Sequence, residues 1–330
     1  MNYISTRGGN EVVSSAQAIK QGIASNGGLF MPESIPTLTS QNVTELLSLS
    51  YPERAAKILS MFLEDYSEEE LLDYSQAAYG EQFVGGEAPV VSIDSDLKVL
   101  ELWHGPTCAF KDMALQIMPR LLSRALKMTD EQRTAHILVA TSGDTGKAAL
   151  EGYSDVDGVK ITVFYPVDGV SRMQKLQMTT TLGGNVYVAA VDGNFDDAQN
   201  GVKAIFGDAS LADKANANGF FFSSANSINW GRLAPQIVYY VSAYLDLVNS
   251  GKIASGDSVN VCVPTGNFGN IFAAYIAREM GIPIAKLICA SNSNNVLTDF
   301  IQSGTYDKRR QLLKTTSPSM DILVSSNLER

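Results

Sequence analysis

Histidine is nearly missing from this chain: His104 and His136 are the only two among 330 residues. No paired-histidine metal signature can form, and the usual general base of hydrolases is scarce. Cysteine is almost as rare. Cys108, Cys262 and Cys289 are far apart, odd in number and without CxxC spacing, which argues against a disulfide framework and against a thiolate zinc site. A chain this long needs no disulfide staples, and a reducing cytoplasm fits. Charged residues are also few, at 18% against 45% hydrophobic, as in a well-cored soluble protein of about two domains. Basic residues number 25 against 35 acidic ones, a net charge of −10, so neither nucleic acid nor an anionic membrane surface is an expected partner. An anionic small molecule would need locally placed donors. No apolar run has the length of a membrane span, and MNYISTRGGNEVV has neither a signal-peptide nor a transit pattern, so the expected location is cytoplasmic.

What is present changes character near residue 95. Residues 1–95 read as a mostly helical region in which TSQNVTELLSLS, PERAAKILSMFLEDY and SEEELLDYSQAAY each open on a Ser, Thr or Pro signal and then show helical spacing. Glu68, Glu69 and Glu70 suit a helix first turn, where the dipole favours carboxylates. Over residues 96–330, HILVA, VKITVFY, NVYVAAV, SVNVCV and AKLICA read as buried strands alternating with helical stretches such as AQNGVKAIFGD and LAPQIVYYVSAYLDLV. Such alternation implies an α/β chain with parallel sheet covered on both faces.

Two strands run into glycine-rich turns that open helices: HILVA into TSGDTG, and SVNVCV into PTGNFGN. Bare backbone N–H groups at a helix N-terminus make an anion cradle, placed where open α/β sheets bind ligands. Either turn alone is equally a tight connection that needs glycine. Neither contains GxGxxG, and TSGDTGKA has Thr141 five residues before Gly146 and Ala148 after Lys147, so both the dinucleotide fingerprint and the phosphate loop of NTPases fail.

The stretch WHGPTCAFKDMALQ sets a lysine where a helix disfavours one. Met113, Ala114, Leu115, Ile117 and Met118 form the apolar side of a helix whose first turn holds Phe110, Lys111 and Asp112. The positive helix end and apolar neighbours should both depress the affinity of Lys111 for its proton, and a neutral amine is what a Schiff base requires. With cradles for a phosphate and a carboxylate, and without histidine or metal, pyridoxal 5′-phosphate bound to an amino acid is the economical reading. A surface lysine laid along apolar neighbours would account for Lys111 by itself.

HGPTCAFKD, TSGDTG, PTGNFGN and NSINWGR together resemble the threonine synthase family, pyridoxal-phosphate enzymes of the tryptophan-synthase-β-like fold. STRGG, NGGLFMPE, QMTTTLGGNVYVAAVDGNFDDAQ, ASNSNNVLTDF and SPSMDI extend the resemblance over essentially the whole chain. It implies PLP fold type II, with two open parallel-sheet lobes and a mostly helical N-terminal region. By the same resemblance Lys111 forms the Schiff base with pyridoxal 5′-phosphate and later moves protons at the substrate's α and β carbons. Gly266, Asn267, Phe268, Gly269 and Asn270 match the loop that holds the cofactor phosphate, and Asp144 falls where other branches have Asn beside the cofactor's phenolic oxygen. Ser142 and Thr145 match positions that hold the substrate α-carboxylate. Asn226, Ser227 and Arg232, ahead of Gln236 and Tyr239, resemble the site for the substrate's own phosphate. Asn226 and Ser227 are equally good helix caps, which leaves Arg232, with its paired charge-assisted donors, as the stronger candidate. His104 carries more of a structural than a catalytic signal.

The implied reaction converts O-phospho-L-homoserine and water to L-threonine and phosphate. The oligomeric state, monomer or homodimer, is open. The family continues well beyond SSNLER, which itself reads like a helix cut short, and the further part ordinarily supplies a contact to the pyridine nitrogen. The expectation is therefore a C-terminally truncated member with weak cofactor retention and little activity of its own. The alternatives are a non-catalytic phosphate-ligand binding protein on the same scaffold, a dehydrogenase lacking its fingerprint, and a serine or threonine dehydratase, the last disfavoured by NSINWGR and SPSMDI.

Overall fold

The computed structural model describes residues 1–330 apart from Ser142 and the side chain of Asp196. It opens on a small antiparallel sheet that hydrophobic periodicity does not predict, with β1 (Tyr3–Ser5) between β2 (Val12–Val13) and β3 (Phe30–Pro32). Strands of two or three residues are too short for alternation to register. Around this sheet come α1 (Ser15–Gln21), α2 (Ser40–Leu47), α3 (Tyr51–Ser60) and α4 (Glu68–Ala78). Reciprocal capping by Thr39 with Asn42 and by Ser67 with Glu70 starts α2 and α4 where the sequence signals fall. An antiparallel hairpin, β4 (Val90–Ser92) and β5 (Lys98–Leu100), then leads to α5 (Asp112–Leu115) and α6 (Met118–Met128).

Next come β6 (Thr134–Ala140), α7 (Asp144–Tyr153), β7 (Val159–Pro166), α8 (Arg172–Thr179), β8 (Val186–Val191), α9 (Phe195–Gly207), α10 (Ala209–Ala217) and β9 (Phe220–Ser223). The four strands form one parallel sheet in the order β8-β7-β6-β9. After α11 (Trp230–Asn249), a second parallel sheet joins β10 (Val259–Pro264) to β11 (Ile284–Ala290), with α12 (Gly269–Glu279) as the crossover and α13 (Val296–Ser303) following. Two 3₁₀ turns, Pro318–Met320 and Ser326–Glu329, end the described chain. The architecture is α/β with two parallel sheets and a mostly helical N-terminal region.

Two expectations need correction. SVNVCV and AKLICA are strands but not buried ones: β10 and β11 alternate between covered and exposed positions, because each is an edge of a two-stranded sheet. SSNLER forms a 3₁₀ turn instead of the start of an α-helix, since the Asn327 N–H bonds to the distant Asn267 carbonyl, 3.0 Å away.

The spine of the core is α11, 20 residues long and buried along most of its length, as expected of a helix that is apolar on all sides. Its first residue, Trp230, packs against Tyr3 and Phe62 with ring centroids 5.5 and 5.7 Å away, tying the N-terminal region to the lobes. Arg54 of α3 makes the polar half of that junction, donating to Asp246 at 2.6 Å, Ser242 Oγ at 2.8 Å and the Leu46 carbonyl at 3.0 Å. Among the described residues no helix is long and apolar enough to cross a membrane. No group of three or more His, Cys, Asp or Glu among them is placed to hold a metal.

Replacing Arg54 with Met strands these acceptors under the N-terminal region, and breaking a buried ion pair costs about 3–5 kcal/mol. Because Asp246 is partly exposed, a loss near the lower end is expected, read as a lower urea midpoint with unchanged slope.

Candidate active site

The string HGPTCAFKD folds into a loop cross-braced by Asp112, a fully buried carboxylate that accepts from Thr107 N at 2.9 Å and Thr107 Oγ1 at 2.6 Å. A Cβ on Gly105 would lie 2.7 Å from Asp112 Cβ, so the loop closes only on glycine. Buried Lys147 of α7 donates to the Thr107 carbonyl from the other side. The loop delivers Lys111 to the N-cap position of α5, just ahead of the first turn where periodicity placed it. Since α5 is a single turn of four residues, little dipole accumulates, and burial is what governs the amine.

Lys111 is 7% exposed. Its Nζ lies 3.2 Å from Asp144 Oδ2 and 4.6 Å from the centre of the Phe110 ring. Burial lowers the pKa of the amine, the charge of Asp144 raises it, and the nearby charges of Arg232 and Lys147 lower it again, with a net result below the ordinary value. Asp144 feels the opposite balance. Burial pushes its carboxyl up, but the Lys111 charge and hydrogen bonds from Ser319, Gln174 and Lys111 outweigh that and hold it at about 2. Gln174 Nε2 donates to Oδ1 at 3.0 Å, and Ser319 Oγ donates to Oδ2.

Asp144 is placed by the turn before α7. Thr141 Oγ1 accepts from the N–H groups of Gly143 and Gly146, at 3.0 and 2.9 Å. Gly143 has φ 145°, outside the range of side-chain-bearing residues, and any Cβ there would collide with Gln174. Thr145, half-buried, follows in the same first turn. Ser142 lies outside the described residues.

The second glycine turn precedes α12. Phe268 takes the left-handed conformation at φ 68°, a strained choice for a bulky side chain that usually marks function. Asn270 Oδ1 lies within hydrogen-bonding distance of the Tyr239 hydroxyl and accepts from Tyr240 at 2.7 Å. Tyr239 also reaches Gln236 Oε1 at 3.2 Å, and Gln236 Nε2 donates to the Arg232 carbonyl at 2.8 Å. One face of α11 thereby links the 266–270 loop to Arg232. The C-terminal residues meet this loop too: Ser325 Oγ donates to the Gly266 carbonyl at 2.6 Å, and Met320 and Ile322 pack over Gly266.

In NSINWGR the helix cap is Asn229, whose side chain accepts from Gly231 N. That resolves the question left open for Asn226 and Ser227: neither is the cap. Ser227 Oγ instead accepts from Asn327 Nδ2 at 3.0 Å, and Asn226 is half-buried one residue earlier. Arg232 is 3% exposed, donates through Nη1 to the Ala225 carbonyl at 2.6 Å, and leaves Nε without a partner. Burial lowers its pKa to about 10. Three hydrogen-bonded groups hold most of the described candidates, Lys111 with Asp144, Asn270 with α11 and Arg232, and Asn327 between Asn267 and Ser227, and the charge of Arg232 reaches Lys111. His104 stands apart, its ring nitrogens on the Val84 carbonyl at 2.8 Å and Glu101 at 2.7 Å, which suits the structural role.

Sequence reasoning did not single out Gln174, Ser319, Tyr240, Ser325 and Asn327. Ser319 lies in SPSMDI, whose importance was visible only as resemblance, and Asn327 lies in SSNLER, which reads only as a helix cut short. Gln174 carries no local signal, since its partner Asp144 is thirty residues away.

Known proteins match this architecture over its whole length. Residues 2–79 fit the family described as Threonine synthase N terminus, and residues 92–329 fit Pyridoxal-phosphate dependent enzyme. The PLP-bound threonine synthase structure from Brucella melitensis superposes with a TM-score of 0.90 at 41% identity, covering 100% of this chain and 68% of that one. The chain belongs to the threonine synthase family. Threonine synthase from Pseudomonas aeruginosa is 43% identical over 334 residues, 100% of this chain and 68% of its own. Human threonine synthase-like 1 is 46% identical over 326 residues, 96% of this chain and 44% of its own. This family member therefore spans less than half the length of some curated relatives, and its fold is PLP fold type II.

The sign of the Lys111–Asp144 coupling can be tested. Native Lys111 should be arylated with a pH midpoint below the ordinary 10.5. Asp144→Asn removes an influence that raises it, so the midpoint, followed by peptide mapping, should fall further. The Asp144 carboxylate stabilises the fold above its ordinary 3.8, and that contribution is lost as pH falls towards about 2. The Asn variant should therefore show a flatter acid limb, and a midpoint that rises would mean Asp144 is not the amine's partner.

Proposed function

We propose that this chain carries the cofactor and substrate sites of a threonine synthase, which converts O-phospho-L-homoserine and water to L-threonine and phosphate. The observation that supports it best is Arg232, a buried guanidinium with an open Nε and no ion pair among the described residues, close enough to Lys111 for the two charges to repel. An unpaired buried cation is costly, and a phosphate group would complete it with charge-assisted hydrogen bonds.

The residues present also fit pyridoxal 5′-phosphate. The first N–H groups of a helix have no carbonyl one turn earlier to bond, and α12 begins with them on a glycine turn. Gly266, Asn267, Phe268, Gly269 and Asn270 would hold the phosphate group, Lys111 would bond the aldehyde carbon, and Asp144 would meet the phenolic oxygen. When bound, the cofactor supplies an electron sink for charge at the substrate α carbon.

The remaining work falls to side chains. Burial keeps the Lys111 amine ready to take a proton from the α carbon and then move one at the β carbon. Ser142 and Thr145 hold the α-carboxylate. Asn226, Ser227 and Arg232 hold the γ-phosphate, and the Arg232 charge makes it a better leaving group. With His104 committed to Val84 and Glu101 and His136 to Thr162, the released phosphate is the available base for water. We assign residues 1–95 to the N-terminal region, 96–330 to the cofactor-binding lobes, and the chain to the cytoplasm.

Borohydride reduction after adding pyridoxal phosphate should mark Lys111 and no other lysine. Phosphate release from O-phospho-L-homoserine, measured with the same preparation, separates an enzyme from a non-catalytic phosphate-binding protein. Arg232→Met should lower kcat/KM by about 10²- to 10³-fold, the usual cost of removing one partner of a buried charge pair, while leaving the borohydride mark on Lys111. Reduction trapped at a different lysine would overturn the assignment.

A further inference from the structure

Residues 325–330 bind two loops at once. Fully buried Asn327 donates from its backbone N to the Asn267 carbonyl at 3.0 Å. Its Nδ2 donates to that same carbonyl at 3.2 Å and to Ser227 Oγ at 3.0 Å, and its Oδ1 accepts from Arg330 Nη1. Every polar atom of the amide is used, which fixes which end faces the loops. Arg330 also donates through Nη2 to the Ile228 carbonyl at 2.6 Å and the Phe30 carbonyl at 3.2 Å. Burial lowers the pKa of this guanidinium to about 9.

These contacts have a geometric consequence. In a planar trans peptide the carbonyl and the next N–H point in opposite directions. With the Gly266 carbonyl on Ser325 and the Asn267 carbonyl on Asn327, the N–H groups of Asn267 and Phe268 are turned to the face away from residues 325–327. At its other end the Asn327 amide leaves the Ser227 hydroxyl hydrogen free to donate elsewhere, because Ser227 Oγ is the acceptor. A Cβ on Gly269 would lie 3.1 Å from Asn327 Nδ2, so the glycine of this turn serves the fit of Asn327 as well.

We propose that Asn327 is a positioning residue that joins the 266–270 loop to the 225–228 loop, so that the cofactor-phosphate and substrate-phosphate sites form one mechanical unit and binding at either strengthens the other. This rests on the reading of the two loops given above. Because equilibrium coupling is reciprocal, inorganic phosphate and pyridoxal phosphate must raise each other's affinity by the same factor.

The test uses the pyridoxal-phosphate-loaded chain with inorganic phosphate as probe, titrated calorimetrically, and cofactor dissociation timed with and without phosphate. Native protein should bind phosphate and retain the cofactor more tightly when phosphate is present. Asn327→Ala should weaken phosphate about tenfold and bring the coupling factor close to one. Asn327→Asp, nearly isosteric, sets an acceptor against the Asn267 carbonyl and should do the same without leaving a cavity. Ser227→Ala cuts the tie from the other end, and the Asn327→Ala/Ser227→Ala pair should be no worse than the poorer single variant. Losses that multiply in the double variant, or phosphate affinity and coupling unchanged in both Asn327 variants, would overturn the proposal. An Arg232→Met chain that binds phosphate normally would instead sink the substrate-phosphate reading itself; loss in Arg232→Met with native-like Asn327 variants would sink only the tie.

Discussion

An excess of buried positive charge is the constraint on which the rest of this structure depends. Lys111, Lys147 and Arg232 all lie in the interior, and of these Lys111 alone has a carboxylate, Asp144, at ion-pair distance. Lys147 rests on a backbone carbonyl and Arg232 on another. Such an arrangement is expensive in an empty protein and economical in one that takes anions. On the proposed function, this local cluster of buried cations is also what would let a chain of net charge −10 receive an anionic substrate. Burial, with the charges of Arg232 and Lys147 adding to it, holds the Lys111 amine below its ordinary affinity for protons.

The scaffold for that cluster is parallel sheet and buried helix. Both glycine turns sit at carboxyl ends of parallel strands, and both meet the 318–322 segment, through Ser319 on Asp144 and through Met320 and Ile322 at Gly266. The helix α11 runs through the core and presents Arg232, Gln236, Tyr239 and Tyr240 along one side. Rotation of that helix would displace Arg232 and Asn270 together, so packing at Trp230 helps to set the site geometry.

Much of this was legible in the residues. Helix starts at Thr39 and Ser67 follow from capping chemistry, and the parallel strands follow from β-branched runs between helices. Lys111 stood out because a cation in the first turn of an apolar helix is unusual, and the two glycine turns because they open helices. The physical reason assigned to Lys111 was only half right. The structure shortens the helix to one turn, which removes most of the dipole and leaves burial as the cause. The exposure of β10 and β11 was hidden, since an apolar run reads the same in the middle of a sheet and at its edge. Asn226 and Ser227 competed as caps until Asn229 was seen in that role.

Sequence by itself determined the longer helices and the parallel strands, the two glycine turns and the amine, because these depend on residues within a few positions of one another: turn chemistry, capping and hydrophobic spacing are local. Only the tertiary structure decided that Gln174 and Ser319 grip Asp144, that the charges of Lys147 and Arg232 reach Lys111, and that Asn327 spans from Asn267 to Ser227. Those relations join residues from dozens to more than a hundred positions apart. Their energies come from burial and hydrogen-bond geometry, which do not exist until the chain has closed around them.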